Sequence, residues 1–228
     1  MEEIILINEV TSTSFNNKNS KGLFISFEGG EGSGKSTQIR LLSNDLSKNN
    51  LPFVLTREPG GTPVGEEIRK TLVSGKVEKL DSYSELLCFV AARRQHLKDL
   101  IIPSLNEGKI VICDRFVDST IVYQGYAGGV SLDKIKILHE EYCFGIYPDL
   151  TILLDIDPEK GLKRKTFSNL NEDRFENQQI DFHYNIRKKY LELNEIYNNR
   201  FIKIDGSLNK IEIFEIIKSQ IMNFFKKI

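Results

Sequence analysis

The sequence has no stretch of apolar residues that approaches the ~20 needed to cross a membrane. It also lacks an excess of either charge, because 31 Lys and Arg residues against 32 Asp and Glu residues give a net charge of −1. Such a balance sets up no overall field that would attract nucleic acid or an anionic membrane. We therefore expect neither nucleic acid nor membrane among the partners, and any affinity for phosphate has to be local.

Cysteine is scarce, with three residues at Cys88, Cys113 and Cys143. An odd number of widely spaced cysteines, two of them in apolar segments, indicates neither a disulfide framework nor a metal site. The N-terminus is acidic at Glu2 and Glu3 and has no small-residue cleavage site, so it does not read as a secretory signal. We expect a cytoplasmic protein with reduced cysteines.

The chain divides into a short N-terminal segment and one domain. Residues 1–21 include a stretch rich in Ser, Thr and Asn, which predicts a flexible extension. Residues 22–228 have the length of a single α/β domain.

A glycine-rich segment lies between a predicted strand, Leu23–Phe27, and a predicted helix, Gln38–Leu46. It matches the pattern G-x-x-x-x-G-K-[ST], in which backbone amides surround a phosphate and the lysine reaches the β- and γ-phosphates. The serine hydroxyl of the pattern ligates Mg²⁺. A glycine-rich turn with an exposed lysine is the structural alternative. The candidate residues of this nucleoside triphosphate site are Gly29, Gly30, Glu31, Gly32, Ser33, Gly34, Lys35, Ser36 and Thr37.

Apolar strands alternate with helical patterns along the rest of the chain. The five predicted strands are Leu23–Phe27, Pro52–Thr56, Lys109–Cys113, Asp149–Asp155 and Phe201–Asp205. The connections are long enough for crossovers, which predicts a parallel sheet with helices on both faces. Ligands of such sheets bind beyond the carboxyl ends of the strands, where Arg57 and Asp114 with Arg115 are found. No element is assigned to the polar, glycine-rich residues 116–129.

Missing motifs narrow the class of phosphate-loop protein. The chain has no Asn-Lys-x-Asp segment and no third strand ending in Asp-x-x-Gly, which a GTPase needs, and it is too short for a large motor ATPase. A polar segment near Asn169, between two predicted helices, fits a small kinase whose lid closes over the triphosphate and excludes water.

Three further segments resemble the successive motifs of the thymidylate kinase family. They are Thr56–Pro63, Asp114–Gly125 (with Asp-Arg-Phe, Asp-Ser-Thr and Tyr-Gln-Gly) and Asp173–Glu176. The resemblance covers about residues 22–228. It implies a P-loop nucleoside monophosphate kinase-like α/β fold, with a five-stranded parallel sheet and a short lid at about 164–175. It also implies Mg²⁺-dependent transfer of the γ-phosphoryl group of ATP to dTMP, giving dTDP and ADP.

The resemblance assigns catalytic roles to four residues. The variable loop positions 30–33 carry no cation, which resembles the bacterial type of the family, in which a lid arginine acts on the transferred group. That arginine corresponds to Arg174, with Arg164 in the same neighbourhood. Lys35, Asp114 and Arg115 complete the catalytic set, and Ser36 with Asp114 would hold Mg²⁺, partly through water.

The resemblance also implies a dTMP site, in which arginines suit the bidentate recognition of phosphate. Only one of Arg93 and Arg94 can face the site from a helix. Phe89 corresponds to a ring that stacks on thymine, Pro59 to a cis proline, and Glu31 to a contact with the 3′-OH. The full set is Glu31, Arg57, Pro59, Phe89, Arg93, Arg115, Thr120, Tyr123 and Gln124.

One segment departs from the family pattern, and the oligomeric state, two helix caps and the alternative functions are further expectations. Gly128-Gly129 replaces the usual Arg-Gly pair, and the family is typically homodimeric, for which the predicted helix Ser82–Leu100 could supply an apolar face. We read Asp155 and Asp157 as caps of a helix from Pro158. A kinase for another nucleoside monophosphate and a non-catalytic ATP-binding protein remain the alternatives.

Overall fold

The computed structural model describes residues 22–73, 80–165 and 179–225. The predicted N-terminal extension, Arg174 and most of the predicted lid lie outside these ranges. Among the described residues, no helix combines the length and the apolar character that crossing a membrane requires.

The core is a five-stranded parallel sheet in the order β2-β3-β1-β4-β5. The predicted fold class is confirmed, and each predicted strand is present to within one residue at either end. The strands are β1 Leu23–Glu28, β2 Phe53–Arg57, β3 Ile110–Asp114, β4 Leu150–Asp155 and β5 Phe201–Asp205. The strand that precedes the glycine-rich segment, β1, therefore occupies the centre of the sheet.

Helices connect the strands. They are α1 Lys35–Lys48, α2 Pro63–Val73, α3 Ser82–His96, α4 Ile102–Asn106, α5 Val117–Thr120, α6 Leu132–Tyr142, α7 Pro158–Lys165, α8 Ile180–Ile196 and α9 Lys210–Phe225. A π-helical turn, Leu97–Ile101, joins α3 to α4 without interruption, as the predicted long helix requires. A second π-helical segment, Ile121–Ala127, continues α5.

The segment without a predicted element is therefore helical from Val117 to Ala127. Its buried positions include polar side chains, among them Asp118, Thr120 and Gln124. These polar residues interrupt the repeat of apolar residues every 3.6 positions on which helix prediction depends, so the sequence did not predict this helix.

Side chains of β1 alternate between the two faces of the sheet. Leu23, Ile25 and Phe27 pack with residues of α1 and α9. Phe24 points to the opposite face and packs with residues of α3 and α6. This alternation is the period of two that a strand imposes, and it accounts for helices on both faces.

Three loops leave the sheet at the same edge. Asp114, the last residue of β3, pairs in register with Phe27 of β1 and with Arg57 of β2. Since the strands are parallel, the segments after β1, β2 and β3 begin side by side. The three motifs that follow these strands are therefore neighbours in space.

Candidate active site

The loop Gly29–Gly34 connects β1 to α1 through backbone conformations that favour glycine. Gly29 and Gly32 have φ values of 136° and 64°. A Cβ at Gly29 would lie 2.5 Å from the carbonyl oxygen of Leu154, and one at Gly32 would collide with the carbonyl oxygen of Gly161. The loop is thus pressed against the end of β4 and against α7, and glycine is a steric requirement at both positions.

Lys35 is folded back over this loop. Its Nζ donates to the carbonyl oxygens of Gly29 and Gly30, at 3.0 Å each. Burial, together with the nearby positive charge of Arg115, lowers the pKa of Lys35 to about 8. The ammonium group therefore stands at the loop with little solvent, and an anionic ligand there would favour its charged form.

The loop borders a cavity of about 680 Å³ at the carboxyl edge of the sheet. The predicted site residues that line it are Glu31, Gly32, Ser33, Gly34, Lys35, Ser36, Thr37, Arg57, Pro59, Phe89, Arg93, Asp114, Arg115, Thr120, Tyr123 and Gln124. Gly29 and Gly30 face a small recess on the other side of the loop. One cavity thus collects residues from three separate motifs and from α3.

Arg115 links the end of β3 to the phosphate loop. Its Nη2 donates to Glu31 Oε1 at 2.8 Å, and its Nη1 donates to the carbonyl oxygen of Gly29 at 3.2 Å. Its guanidinium also lies over the ring of Tyr123, 5.5 Å from the centroid. Burial raises the pKa of the Tyr123 phenol to about 12, so Tyr123 is neutral at physiological pH.

A second arginine, Arg93, reaches the cavity from the buried side of α3. Its Nε donates to Glu58 Oε2 at 2.7 Å, and its Nη2 donates to Thr120 Oγ1 at 2.8 Å. Arg94 faces away, donating to the carbonyl oxygen of Tyr142 and stacking on Phe144. The expectation that only one of the two arginines faces the site is confirmed, and it is Arg93.

The loop after β2 carries the predicted cis proline, since the Glu58–Pro59 peptide bond is cis. Arg57 is more exposed and forms an ion pair with Glu66 at 3.0 Å. The amide of Gln124 donates to Glu85 Oε2 at 3.3 Å, and Phe89, which is half-buried, lines the same cavity. Gln124 and Thr120 are both almost fully buried, which fixes their polar atoms in place.

The comparisons with known proteins agree with this geometry. The family model described as thymidylate kinase matches residues 27–217, which is more than half of the chain. The chain belongs to the thymidylate kinase family. The predicted family and fold class are thereby confirmed.

Relatives in this family match nearly the whole chain. The thymidylate kinase of Clostridium novyi is 44% identical over 199 residues, covering 87% of this chain and 97% of the relative. That of Halothermothrix orenii is 46% identical over 195 residues, covering 85% and 93%. The crystal structure of thymidylate kinase from Ehrlichia chaffeensis is 39% identical, with a TM-score of 0.68, covering 87% of this chain and 98% of that one.

As a member of the thymidylate kinase family, the chain is an ATP-dependent nucleoside monophosphate kinase, which raises the question of a metal site. Asp114 Oδ1 is buried and has no hydrogen-bond partner among the described residues, and Ser36 is exposed to the cavity. Both offer the oxygen ligands that Mg²⁺ prefers. In the described ranges no group of three His, Cys, Asp or Glu side chains could hold a metal by itself. The residues present fit a Mg²⁺ ion held mainly by nucleotide phosphates.

Of the two predicted helix caps, Asp155 and Asp157, only Asp157 is a cap in the structure. Asp157 Oδ1 accepts from the backbone amides of Glu159 and Lys160, so it caps α7 as predicted. Asp155 does not, and that prediction is wrong. Its carboxylate instead accepts two hydrogen bonds from Arg187 of α8, at 2.6 and 3.0 Å. Nothing in the local sequence of Asp155 indicates a partner 32 residues away.

Sequence reasoning gave no role to Glu58 or to Glu28, although both are buried acids at this edge of the sheet. Glu58 bridges Arg93 and His96, whose Nδ1 lies 3.1 Å from Glu58 Oε1. Glu28, the last residue of β1, is fully buried. An acidic residue ending an otherwise apolar strand was the signal in the sequence that could have identified Glu28.

Proposed function

We propose that this chain transfers the γ-phosphoryl group of ATP to the 5′-phosphate of dTMP, giving dTDP and ADP. The observation that carries the proposal is the single cavity in which Lys35 of the phosphate loop and the two arginines Arg93 and Arg115 converge. The reaction joins two polyanions, so alignment and neutralisation of the phosphate oxygens provide most of the catalysis. The acceptor is already an anion and requires no strong general base.

At the donor side, Gly29–Gly34 and the first amides of α1 would hold the triphosphate, with Ser33 and Thr37 beside them. Lys35, which donates to Gly29 and Gly30 in this structure, would donate to the β- and γ-phosphates instead. Because its surroundings are already desolvated, the ammonium group interacts strongly with the anion.

Ser36 and Asp114 would hold Mg²⁺, with Asp114 acting partly through water. When bound, Mg²⁺ would neutralise charge on the β- and γ-phosphate oxygens. The buried Oδ1 of Asp114, which no described residue contacts by a hydrogen bond, supports this assignment, since a buried carboxylate oxygen normally has a partner.

At the acceptor side, Arg93 and Arg115 would bind the dTMP phosphate, and Arg57 would assist them. Both Arg93 and Arg115 are already held by acids, Glu58 and Glu31, so their guanidinium groups are oriented before substrate arrives. Preorganised donors of this kind lose little freedom on binding.

The nucleoside would lie between Phe89 and the opposite wall. We propose that Phe89 stacks on thymine, that Thr120 and Gln124 contact the base edge, and that Tyr123 packs against the sugar. Glu31 would accept a hydrogen bond from the 3′-OH, and cis Pro59 would shape the adjoining loop. The half-buried ring of Phe89 on the cavity wall supports the stacking role.

Arg174 lies outside the described residues, and its role rests on the family resemblance. We propose that it moves onto the transferred phosphoryl group from a lid at about 164–175. Of this lid, Arg164 is described, and it lines the cavity while donating to the carbonyl oxygen of Gly206 at 2.8 Å.

A panel of acceptors with ATP tests the choice of substrate. We expect dTMP to have the highest kcat/KM, above dUMP and dCMP. A clear preference for another monophosphate would overturn the assignment to dTMP and leave a kinase of different specificity.

Two substitutions test whether the chain catalyses or only binds ATP. Lys35→Ala and Arg174→Ala should each lower turnover by about 10²–10³-fold or more, as removal of one transition-state donor does. Arg40→Ala, on the exposed side of α1, is the control and should retain wild-type turnover. Turnover unchanged in both site variants would refute this mechanism.

We further propose that the protein is a cytoplasmic homodimer. Exposed apolar side chains of α3, α6 and the following loop support a docking face, namely Tyr83, Leu87, Ile137, Tyr142 and Phe144. Leu87 is the most exposed of these five side chains, at 57%. Sedimentation should give a dimer that Leu87→Asp dissociates, and a monomeric wild type would exclude this face. The free thiols of Cys88, Cys113 and Cys143 agree with a reducing compartment.

A further inference from the structure

Glu28 is a fully buried acid with an unusual set of partners. Its Oε1 accepts from the backbone amide of Phe116 at 2.8 Å. Its Oε2 accepts from the hydroxyl groups of Ser119, at 2.7 Å, and of Tyr190, at 2.8 Å. Burial raises its pKa to about 7, with the Asp118 carboxylate adding to the rise and Arg115 opposing it. Three well-placed donors therefore hold a carboxylate where desolvation disfavours its charge.

The same two hydroxyl groups contact Arg115. One hydrogen of Arg115 Nη1 is shared between Ser119 Oγ and Tyr190 Oη, at 3.3 Å each, since the other is donated to the carbonyl oxygen of Gly29. A hydroxyl group has one hydrogen and two lone pairs. When Ser119 and Tyr190 direct their hydrogens at Glu28, their lone pairs are left to accept from the guanidinium. Glu28 thus sets the direction in which both hydroxyl groups point.

The backbone of Arg115 is held from the same side. Arg115 has a φ of 67°, which is uncommon for a residue with a side chain, and its amide donates to the carbonyl oxygen of Phe27 at 3.0 Å. The next amide, that of Phe116, donates to Glu28. The last two residues of β1 therefore fix the turn in which Arg115 sits.

We propose that Glu28 is a positioning residue for phosphoryl transfer, which aims the Arg115 guanidinium at the acceptor phosphate through Ser119, Tyr190 and the Phe116 amide. The proposal rests on the proposed function, in which Arg115 binds the phosphate of dTMP. Glu28 itself touches neither substrate. Its effect on the reaction is transmitted through hydrogen bonds to the residues that hold Arg115.

A comparison with another buried acid distinguishes this arrangement from ordinary charge pairing. Asp118 is also fully buried, but it accepts directly from both terminal nitrogens of Arg200, at 2.6 and 2.8 Å. Among the described residues, no Lys or Arg side chain donates a hydrogen bond to Glu28. Its partners are one amide and two hydroxyl groups, and both hydroxyl groups also contact Arg115.

The test uses Glu28→Gln, which keeps the shape of the side chain. An amide nitrogen in place of Oε2 would donate to Ser119 or Tyr190 and occupy a lone pair that Arg115 uses. Tyr190→Phe is the milder second variant, since it removes one hydroxyl group and keeps the ring. Asp149→Asn is the matched control, because Asp149 Oδ2, like Glu28 Oε1, accepts a backbone amide, that of Phe24 at 2.8 Å, but at the opposite end of β1.

The measurements are kcat and KM for dTMP, the dissociation constants of dTMP and of thymidine, and the melting temperature of each variant. We expect Glu28→Gln to lower kcat/KM by about 10–100-fold, the effect of a misplaced catalytic group. The dissociation constant of dTMP should rise while that of thymidine, which has no phosphate for Arg115, stays constant. The ratio of the dissociation constant of dTMP to that of thymidine should therefore rise in Glu28→Gln. This ratio should rise less in Tyr190→Phe and should not change in Asp149→Asn.

A folded Glu28→Gln with wild-type kcat and a wild-type ratio of the two dissociation constants would overturn the proposal. Equal weakening of dTMP and thymidine, parallel to a fall in melting temperature, would also overturn it and leave Glu28 a structural residue. A wild-type protein that binds dTMP without phosphorylating it would refute the proposed function instead. The dTMP-to-thymidine ratio of the variants would still decide the role of Glu28.

Discussion

Arg115 Nη2 lies 2.8 Å from Glu31 Oε1, and this ion pair joins the end of β3 to the variable part of the phosphate loop. Both side chains are largely shielded, at 19% and 15% exposure. In the proposed function, the two partners contact opposite ends of the dTMP sugar-phosphate, the 3′-OH and the 5′-phosphate. The ion pair would therefore fix the acceptor-binding side chains relative to the phosphate loop before either substrate binds.

The first prediction concerns Glu31 and the sugar hydroxyl. The wild type should prefer dTMP over its 3′-deoxy analogue by at least about tenfold, because a hydrogen bond to a charged group is worth roughly 1.5–3 kcal/mol. Glu31→Ala should remove this preference, because loss of the partner of Arg115 weakens both acceptors alike while loss of the 3′-OH contact weakens dTMP alone. The measurement is kcat/KM for both acceptors in both proteins. Retention of the preference in Glu31→Ala would contradict the contact with the 3′-OH.

The second prediction concerns the protonation of Lys35. In the free protein the ammonium form is lost as the pH rises through about 8. A bound triphosphate favours the ammonium form and raises this pKa, so ATP binding at pH 8.5 should be accompanied by proton uptake. Calorimetric titration in two buffers of different ionisation enthalpy measures the number of protons taken up. The KM for ATP should rise as the pH increases above 8.

Lys35→Arg provides the control for this prediction. A guanidinium stays charged throughout the range, so binding to this variant should occur without proton uptake at pH 8.5. Equal uptake by the wild type and by Lys35→Arg would assign the proton to another group.

The third prediction concerns the glycines of the loop. Gly32→Ala places a Cβ against the carbonyl oxygen of Gly161 at a φ of 64°, so the loop must move. We expect the dissociation constant of ATP to rise at least about tenfold, since displaced amides lose their alignment with the phosphates. Gly30→Ala is the matched substitution two residues away, because a Cβ there meets no atom within 4 Å. Equal losses in the two variants would show that packing against Gly161 is not the constraint.

The fourth prediction concerns stability. Arg93 and Glu58 form an ion pair in which the side chains are 2% and 4% exposed. Glu58→Ala leaves a buried guanidinium without its partner and should lower the free energy of unfolding by about 3–5 kcal/mol. Denaturation by urea measures the change. Glu67→Ala breaks the exposed pair with Lys70, where the side chains are 71% and 69% exposed, and should change stability by less than about 1 kcal/mol.

The fold was largely predictable because its signals are local. The predicted strand at residues 201–205 coincides with β5, and the glycine pattern lies between a strand and a helix as the phosphate loop requires. The helix Val117–Ala127 escaped prediction because buried polar residues carry its inner face. The hydrogen-bond partners of those polar residues lie far along the chain, as Arg200 does for Asp118. Such long-range pairs produce no periodic pattern in the sequence.

The sequence by itself determined the strand–loop–helix that binds phosphate, the order of the motifs and the family to which they belong, because each depends on residues close together in the chain. Tertiary structure decided which arginine of Arg93 and Arg94 faces the cavity and placed Glu28 behind Arg115. These outcomes depend on contacts between residues up to 162 positions apart, as from Tyr190 to Glu28. Such contacts matter for stability because a buried polar group without a hydrogen-bond partner costs free energy, and only the folded chain brings the partner close.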